Sequence, residues 1–263
     1  MAGIVNLLSL GFWLLALMGF ALPKPIQISQ APSFRVMTYN IRLGEVVSIA
    51  EMARIIQAEK PSIVFLQETR RNTAEALAQH FPGWHWAQAR EVAIFSRSPL
   101  EDVIVHPMPG NPRKILEAKV RVSGQTITLL NAHYITVTTI DRKKRRPRFD
   151  TAPFEAKVRS DTTRLLLDIA AQNQKVIVAG DFNTPPHIGL YNRLRSQMTD
   201  AFAAAGSGLG YTYPARQPLL RIDYIWLKNV KPLQAWIPLQ AWIPRIVASD
   251  HRAVVAEVAL LAN

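Results

Sequence analysis

The chain has 263 residues, no cysteine, and 31 Lys and Arg against 19 Asp and Glu, giving a formal net charge of +12 and a pI near 10.3. The missing cysteines exclude a disulfide framework, a thiolate metal site and a cysteine nucleophile, and they fit an extracytoplasmic location without requiring it. The basic excess favours polyanionic partners such as nucleic acid, anionic lipid head groups or phosphorylated small molecules, with scattered surface charge as the plain alternative.

Residues 1–22, MAGIVNLLSLGFWLLALMGFAL, carry no charged side chain, and the run is close to the ~20 apolar residues that span a bilayer. Pro23, Lys24 and Pro25 end it. As a signal peptide it lacks the basic residues that precede the apolar region, although Gly19, Phe20 and Ala21 form a small-x-small cleavage site. As an anchor, it is followed by Lys24 and a basic domain, which by the positive-inside tendency argues for a cytoplasmic face. The expectation is a membrane-anchored or exported monomer with an extracytoplasmic domain, a cytoplasmic-facing anchor being the alternative. Residues 23–33, PKPIQISQAPS, read as a Pro-rich linker, and 34–263 as a single folded domain, since nearly half of the chain is apolar.

Within that domain Phe34 to Asn40 alternates as a strand, and Ile49 to Ala58 has helical spacing. Pro61 restarts the chain into SIVFLQE, a continuous apolar run suited to a buried strand. A helix is predicted over Asn72 to His80 with an Asn or Thr cap. Strand-like runs follow in WHWAQ, VAIFS, LEDVIV, ILEAKVRV and QTITLLNAH, the last two joined at Ser123-Gly124 as a hairpin. DRKKRRPRF, residues 141–149, is a basic polar loop. Lys157 to Ala171 returns to helical spacing through Val158, Thr162, Leu165, Leu166 and Ile169. VIVAGD is a strand, GLYNRLRSQ a short helix, and IDYIWL and AVVAEVAL are strands. Hairpin-linked strands with helices in both halves point to a mixed, largely antiparallel pair of sheets covered by helices.

The polar residues that terminate the apolar runs form a set. Asn40 ends RVMTYN, Glu68 ends IVFLQE, and His133 ends TITLLNAH. Asp181 and Asn183 end VIVAGDFN, Asp223 opens IDYIWL, and Ser249, Asp250 and His251 precede AVVAEVAL. Strand ends meet at sheet edges, so these groups can share one cleft. Carboxylates with few other ligands suit Mg²⁺, which leaves positions for water and substrate phosphate. Histidines with Asp partners suit acid–base work, and Asn amides can donate to a phosphate oxygen or orient a water. The set describes metal-assisted attack of water on a phosphate ester. A zinc site fits less well, because no two His have the close spacing of helix-borne zinc ligands.

TYNIR (38–42), LQET (66–69), NAH (131–133), GDFNTPP (180–186), RIDYIW (221–226) and SDH (249–251) resemble, in order, the motif series of the endonuclease/exonuclease/phosphatase superfamily, the deoxyribonuclease I-like proteins. The resemblance runs from about Phe34 to Val258. It implies a four-layer α/β/β/α sandwich and Mg²⁺- or Mn²⁺-dependent phosphoester hydrolysis. By the same resemblance Glu68 is the metal-binding glutamate, with Asn40 and Asp250 beside it. Asp181 is the acid that orients or deprotonates the attacking water. Asn183 and Asn40 hold the phosphate together with His251, Asp223 partners His251, and His133 is a candidate acid for the leaving group. Whether Asp181 or a histidine is the base stays open, and Glu91, a candidate for orienting His133, matches too loosely to be included.

Three features stand outside this series. The basic loop Arg142 to Arg148 is either a solvated loop or a phosphate-attracting rim near the cleft. LQAWIP (233–238) is repeated verbatim at 239–244, either as core strand plus packing or as an exposed loop whose Trp236, Ile237, Trp242 and Ile243 meet a membrane interface. His80, His85, His106 and His187 match no motif position, and Trp84 and Trp86 read as packing. A nuclease and a lipid phosphodiesterase or phosphatase are both compatible with the site. A catalytically inactive phosphate- or nucleic-acid-binding module is the alternative of a different class.

Overall fold

The computed structural model describes residues 19–23, 32–136, 140–141, 146–147, 152–236 and 248–260. The anchor or signal reading of residues 1–18 falls outside them, as does most of the basic loop and the second LQAWIP copy. Among the described residues no helix is long and apolar enough to cross a membrane.

Two six-stranded sheets are stacked face to face. The first contains β1 (Ser33–Asn40), β2 (Ile63–Gln67), β3 (His85–Ala89), β4 (Val92–Ser96), β13 (Val230–Trp236) and β14 (Val254–Leu260), in the order β13-β14-β1-β2-β4-β3. The second contains β5 (Glu101–Pro107), β6 (Lys114–Val122), β7 (Gln125–His133), β10 (Val176–Asp181), β11 (Thr199–Asp200) and β12 (Asp223–Lys228), in the order β11-β12-β10-β7-β6-β5. A short ribbon pairs β8 (Ile140–Asp141) with β9 (Arg146–Pro147). Only β1 with β2 and β7 with β10 run parallel; the other pairings within the two large sheets are antiparallel. Helices α1 (Ile49–Ala58) and α2 (Arg71–Gln79) cover the outer face of the first sheet, and α3 (Ala152–Ala171) and α4 (Gly189–Arg195) that of the second. A fifth helix, α5 (Ala201–Ala205), packs beside β12 and β13.

Period-two patterning explains the layers. Alternate residues of β1, β2, β7 and β10 (Val36, Ile63, Phe65, Ile127, Leu129, Ile177, Ala179) fill the core between the sheets. Their neighbours (Met37, Val64, Leu66, Leu130, Val178) face the helices instead. Strands buried on both faces read as continuous apolar runs, and the inner strands are of this type. The four-layer α/β/β/α sandwich is thus the observed fold.

Local chemistry sets the helix starts. Ser48 caps α1, its Oγ accepting from the Glu51 amide at 3.2 Å, as a Ser-x-x-Glu box should. The expected side-chain cap of α2 is not used: the helix starts at Arg71 behind Arg70, which makes no capping bond. Thr73 instead donates to the Leu43 carbonyl. The first LQAWIP copy belongs in part to β13, with Leu233 and Ala235 buried, in agreement with the packing reading for that half.

One glycine is required by the sheet itself. Gly180 has φ +152, and a Cβ there would lie 1.9 Å from the Ala132 carbonyl oxygen on β7. The parallel β7–β10 pair therefore closes at the level of the site only because residue 180 has no side chain.

Candidate active site

Sheet register brings the strand-end residues to one level. Asn40 pairs with Gln67, whose successor is Glu68. Asp181 pairs with His133 on one side and with Asp223 on the other. Residues 249–251 lie at the entrance to β14, the neighbour of β1. Between the sheets, Gln67 Nε2 donates to Asn131 Oδ1 at 2.8 Å, and Asn131 Nδ2 donates to the Leu66 and Ala93 carbonyls at 3.0 and 2.8 Å. This buried amide bridge fixes one sheet against the other beneath the cleft.

Asn40 is the hub. Its Nδ2 donates to Glu68 Oε1 at 3.2 Å and to Asp181 Oδ2 at 3.1 Å. Its Oδ1 accepts from the Arg42 amide, and its carbonyl accepts from Ser249 Oγ at 2.7 Å. Glu68 sits just past its strand in the left-handed region, at φ 51, which turns its carboxylate back to the cleft. Asp181 Oδ1 accepts from the Asn183 amide at 2.8 Å. His133 Nε2 and His251 Nε2 lie 3.6 and 3.7 Å from Asp181 Oδ2, and His133 Nε2 lies 4.0 Å from Glu68 Oε1. His251 Nδ1 meets Asp223 Oδ2 at 2.9 Å, so Asp223 fixes the ring with Nε2 toward Asp181. Tyr213 packs its ring on His251 at 4.8 Å.

The three central groups titrate in different directions. Burial pushes the Asp181 carboxyl up to about 7; the Asp223 charge adds to this, and His251, the Asn183 amide and Asn40 partly offset it. Burial opposes charge on His251, but the charge and hydrogen bond of Asp223 outweigh it and raise the imidazole to about 10. Burial, Arg113 and His251 hold His133 well below the ordinary histidine range. At neutral pH His251 is therefore cationic and His133 neutral.

Asp223 Oδ1 is buried without a hydrogen-bond partner among the described residues. Asp223 and Asp181 lie against the His251 imidazolium at 2.9 and 3.7 Å, while Glu68 lies 4.0 Å from the neutral His133. A ligand atom from each of Asp181, Asp223 and His251 can be chosen so that all lie within 4.8 Å of one another. Hard oxygen donors with surplus negative charge and no thiolate suit a divalent cation of the Mg²⁺ or Mn²⁺ type. Of these groups Glu68 is the one still open to solvent, its side chain about one-third exposed. A cation with its water shell fits there better than between Asp223 Oδ2 and His251 Nδ1, which already meet at 2.9 Å.

Asn40, Glu68, His133, Asp181, Asp223 and His251 thus form one connected cluster. Two further residues of the expected set sit differently. The Asp250 carboxylate lies beside Arg42 Nε at 3.8 Å and Ser249 Oγ at 3.4 Å. The Asn183 side chain donates to the Tyr134 carbonyl at 3.0 Å and accepts from Thr136 Oγ1, so its backbone amide, not its side chain, holds Asp181.

The motif series does not include two arginines that support the cluster, Arg159, which is buried, and Arg113, which is half-buried. Arg159 of α3 donates to the Phe182 and Asn183 carbonyls and to Thr184 Oγ1, pinning the loop after β10. Arg113 donates to the His133 and Tyr134 carbonyls and faces Glu91 at 3.6 Å. Arg159 had a readable signal, since it shares a helix face with Thr162, Thr163 and Leu166, where a basic residue must find buried acceptors. Arg113 had none, as it lies in an irregular NPRK stretch. Glu91 Oε1 and His133 Nδ1 are both buried without a hydrogen-bond partner among the described residues, Glu91 Oε1 facing only the Arg113 guanidinium.

Solved structures share this architecture. An endonuclease/exonuclease/phosphatase from Bacteroides vulgatus superposes with a TM-score of 0.71 at 19% identity, covering 88% of this chain and 100% of that one. Truncated Caenorhabditis elegans TDP2 gives 0.69 at 20% identity, over 86% and 97% of the two chains. D. rerio TDP2 complexed with single strand DNA product gives 0.67 at 17% identity, over 86% and 98%. No curated protein matches the sequence. The model of the Endonuclease/Exonuclease/phosphatase family matches residues 37–251, a span that holds every residue of the cluster, and the chain belongs to that family.

Proposed function

We propose that the chain is a divalent-metal-dependent phosphoester hydrolase, acting on phosphodiesters of nucleic acid by direct attack of water. The observation that carries this reading is Asp181, a buried acid raised to about 7 and set between two histidines of opposite protonation state. Paired groups whose environments drive their pKa values apart are the pattern of an acid–base site.

Glu68 and Asn40 would hold the cation, and the Asp250 carboxylate lies beside Arg42. Bound there, the cation would supply Lewis-acid polarisation of a phosphoryl oxygen and neutralise its charge. Asp181, oriented by Asn40 and the Asn183 amide, accepts a proton from the attacking water as its oxygen bonds to phosphorus. The bond from phosphorus to the leaving oxygen breaks, and His251, held cationic by Asp223, stabilises the developing charge and protonates that oxygen. The neutrality of His133 argues against its serving as the proton donor and suits it to a hydrogen bond with the phosphate. A preorganised donor of this kind is typically worth about 10²–10³ in rate.

The net charge of +12 supports a polyanionic substrate, as does similarity to a TDP2 structure that holds a DNA product. The uncharged N-terminal run favours a second reading, a phosphodiester carried in a membrane. An inactive binding module is disfavoured because no expected site residue has been replaced.

Purified full-length chain should be assayed with Mg²⁺ or with chelator on single-stranded and duplex DNA, RNA, sphingomyelin, phosphoinositides and an aryl phosphodiester. Metal-dependent cleavage of nucleic acid is expected. Cleavage of a lipid with every nucleic acid intact would reverse the substrate class, and no cleavage of any substrate would contradict hydrolysis itself. If the six basic side chains of Arg142 to Arg148 neutralise phosphates, log K should fall with log salt with a slope of about −5.

A further inference from the structure

The last residues of the uncharged N-terminal run are built into the folded domain. Ala21 is buried in the core between the sheets, with Phe202 and Val230. Its amide donates to the Gly208 carbonyl at 2.7 Å, and the Gly208 amide donates back at 2.8 Å. Two residues earlier Gly19, at φ +69, lies so close to the loop after β10 that a Cβ would stand 3.0 Å from Pro186 and 3.3 Å from His187. Gly19, the first described residue, therefore lies beside the loop after β10, which carries Asn183 and follows directly on Asp181.

The surface around that exit is apolar with a basic rim. Leu22, Ile188, Leu219 and Leu220 are 57, 52, 68 and 40% exposed. Ile188 follows the Gly19 contact directly, and Leu220 pairs with Tyr213, the residue that packs on His251. Arg193, Arg195 and Arg216 are exposed in the adjoining segments. Exposed aliphatic side chains flanked by arginines suit the interface of an anionic bilayer. The eighteen uncharged residues before Gly19 fall within the ~17–25 of single spans. Cleavage after Ala21, at the small-x-small site, would strip a buried core residue and two backbone hydrogen bonds from the domain.

We propose that residues 1–18 are retained as a membrane anchor, and that the surface formed by Leu22, Ile188, Leu219 and Leu220, beside the cleft, rests on an anionic lipid bilayer. This assignment is independent of the hydrolase reading, because it rests on the docking of Gly19–Ala21 and on exposed residues outside the catalytic cluster.

The test uses the full chain with a C-terminal tag, expressed in a bacterial host and extracted in detergent. Intact mass should show residues 1–22 still attached. The chain has no cysteine, so single substitutions Leu22→Cys, Ile188→Cys, Leu219→Cys and, as a control at the far end of β7, Thr126→Cys can each carry one fluorophore. After reconstitution into vesicles of equal parts phosphatidylcholine and phosphatidylglycerol, nitroxide-labelled lipid should remove most of the fluorescence at 22, 188 and 219 and little at 126. A mature chain that begins after Ala21 would overturn the proposal. So would a retained segment whose three labels are quenched no more than the one at 126.

Discussion

Asp181 and Asp223 face each other across the β10–β12 pairing, and burial, with the Asp223 charge added to it, raises the Asp181 carboxyl. Its folded pKa of about 7 lies above the ordinary 3.8. Between those values the folded state keeps a proton that the unfolded chain has lost, so metal-free stability falls as pH rises from about 4 to 7. Asp181→Asn removes this linkage. The stability difference, wild type minus variant, should decline across that window in denaturant unfolding with chelator present; a flat difference contradicts the assignment. His251 is shifted in the same sense, since the folded state holds its proton to higher pH than the unfolded chain does. Its pKa is raised to about 10 by Asp223, so the cation is present below that pH and lost above it. If His251 supplies the proton, kcat/KM falls on the alkaline side as that cation is lost. Asp223→Asn should move this alkaline limb toward the ordinary histidine range, near 6.5, as well as lower the rate. A variant with reduced rate and an unmoved limb would assign Asp223 a purely structural part.

At the scale of elements, the amide bridge from Gln67 through Asn131 to the Leu66 and Ala93 carbonyls explains why NAH belongs to the motif series although its Asn touches no group of the acid–base cluster. Asn131→Leu would leave one buried donor and two carbonyls unmatched, and urea unfolding should show a loss of about 2–4 kcal/mol; a change below about 0.5 kcal/mol would remove the bridge from the account. The inner strands were legible because they are buried on both faces and end abruptly on polar residues: β4, β7 and β10 have the bounds read from VAIFS, QTITLLNAH and VIVAGD. Elements governed by tertiary contacts were not. Helix α3 begins at Ala152 rather than Lys157, because its first turn holds Pro153, tolerated there, and the exposed Phe154, which break the apolar period. Strand β13 was hidden by Pro232, which an edge strand accommodates where its register with β14 shifts between Pro232 and Gln234. The cluster itself was readable as residue types at strand ends. Its internal wiring was not, since the hub role of Asn40 and the supporting Arg159 arise from segments brought together only by folding.

Across the whole molecule, two sheets from distant parts of the chain meet so that one contributes Asn40 and Glu68 and the other His133, Asp181 and Asp223. The site exists only when both sheets are docked, and a cation that binds there must stabilise the native state. Saturating Mg²⁺, at roughly 100 times Kd, should add about 2.7 kcal/mol to unfolding stability, read as a rise in Tm that Glu68→Gln abolishes. Equal shifts in wild type and variant would place the ion elsewhere. The central claim is that this cluster hydrolyses a phosphoester with Asp181 receiving the proton of water. The most direct measurement is the single-turnover rate of Asp181→Asn against wild type, with saturating Mg²⁺, on the substrate that wild type cleaves. The account predicts a fall of about 10³-fold or more with substrate affinity and fold retained, and a variant within about tenfold of wild type would contradict it.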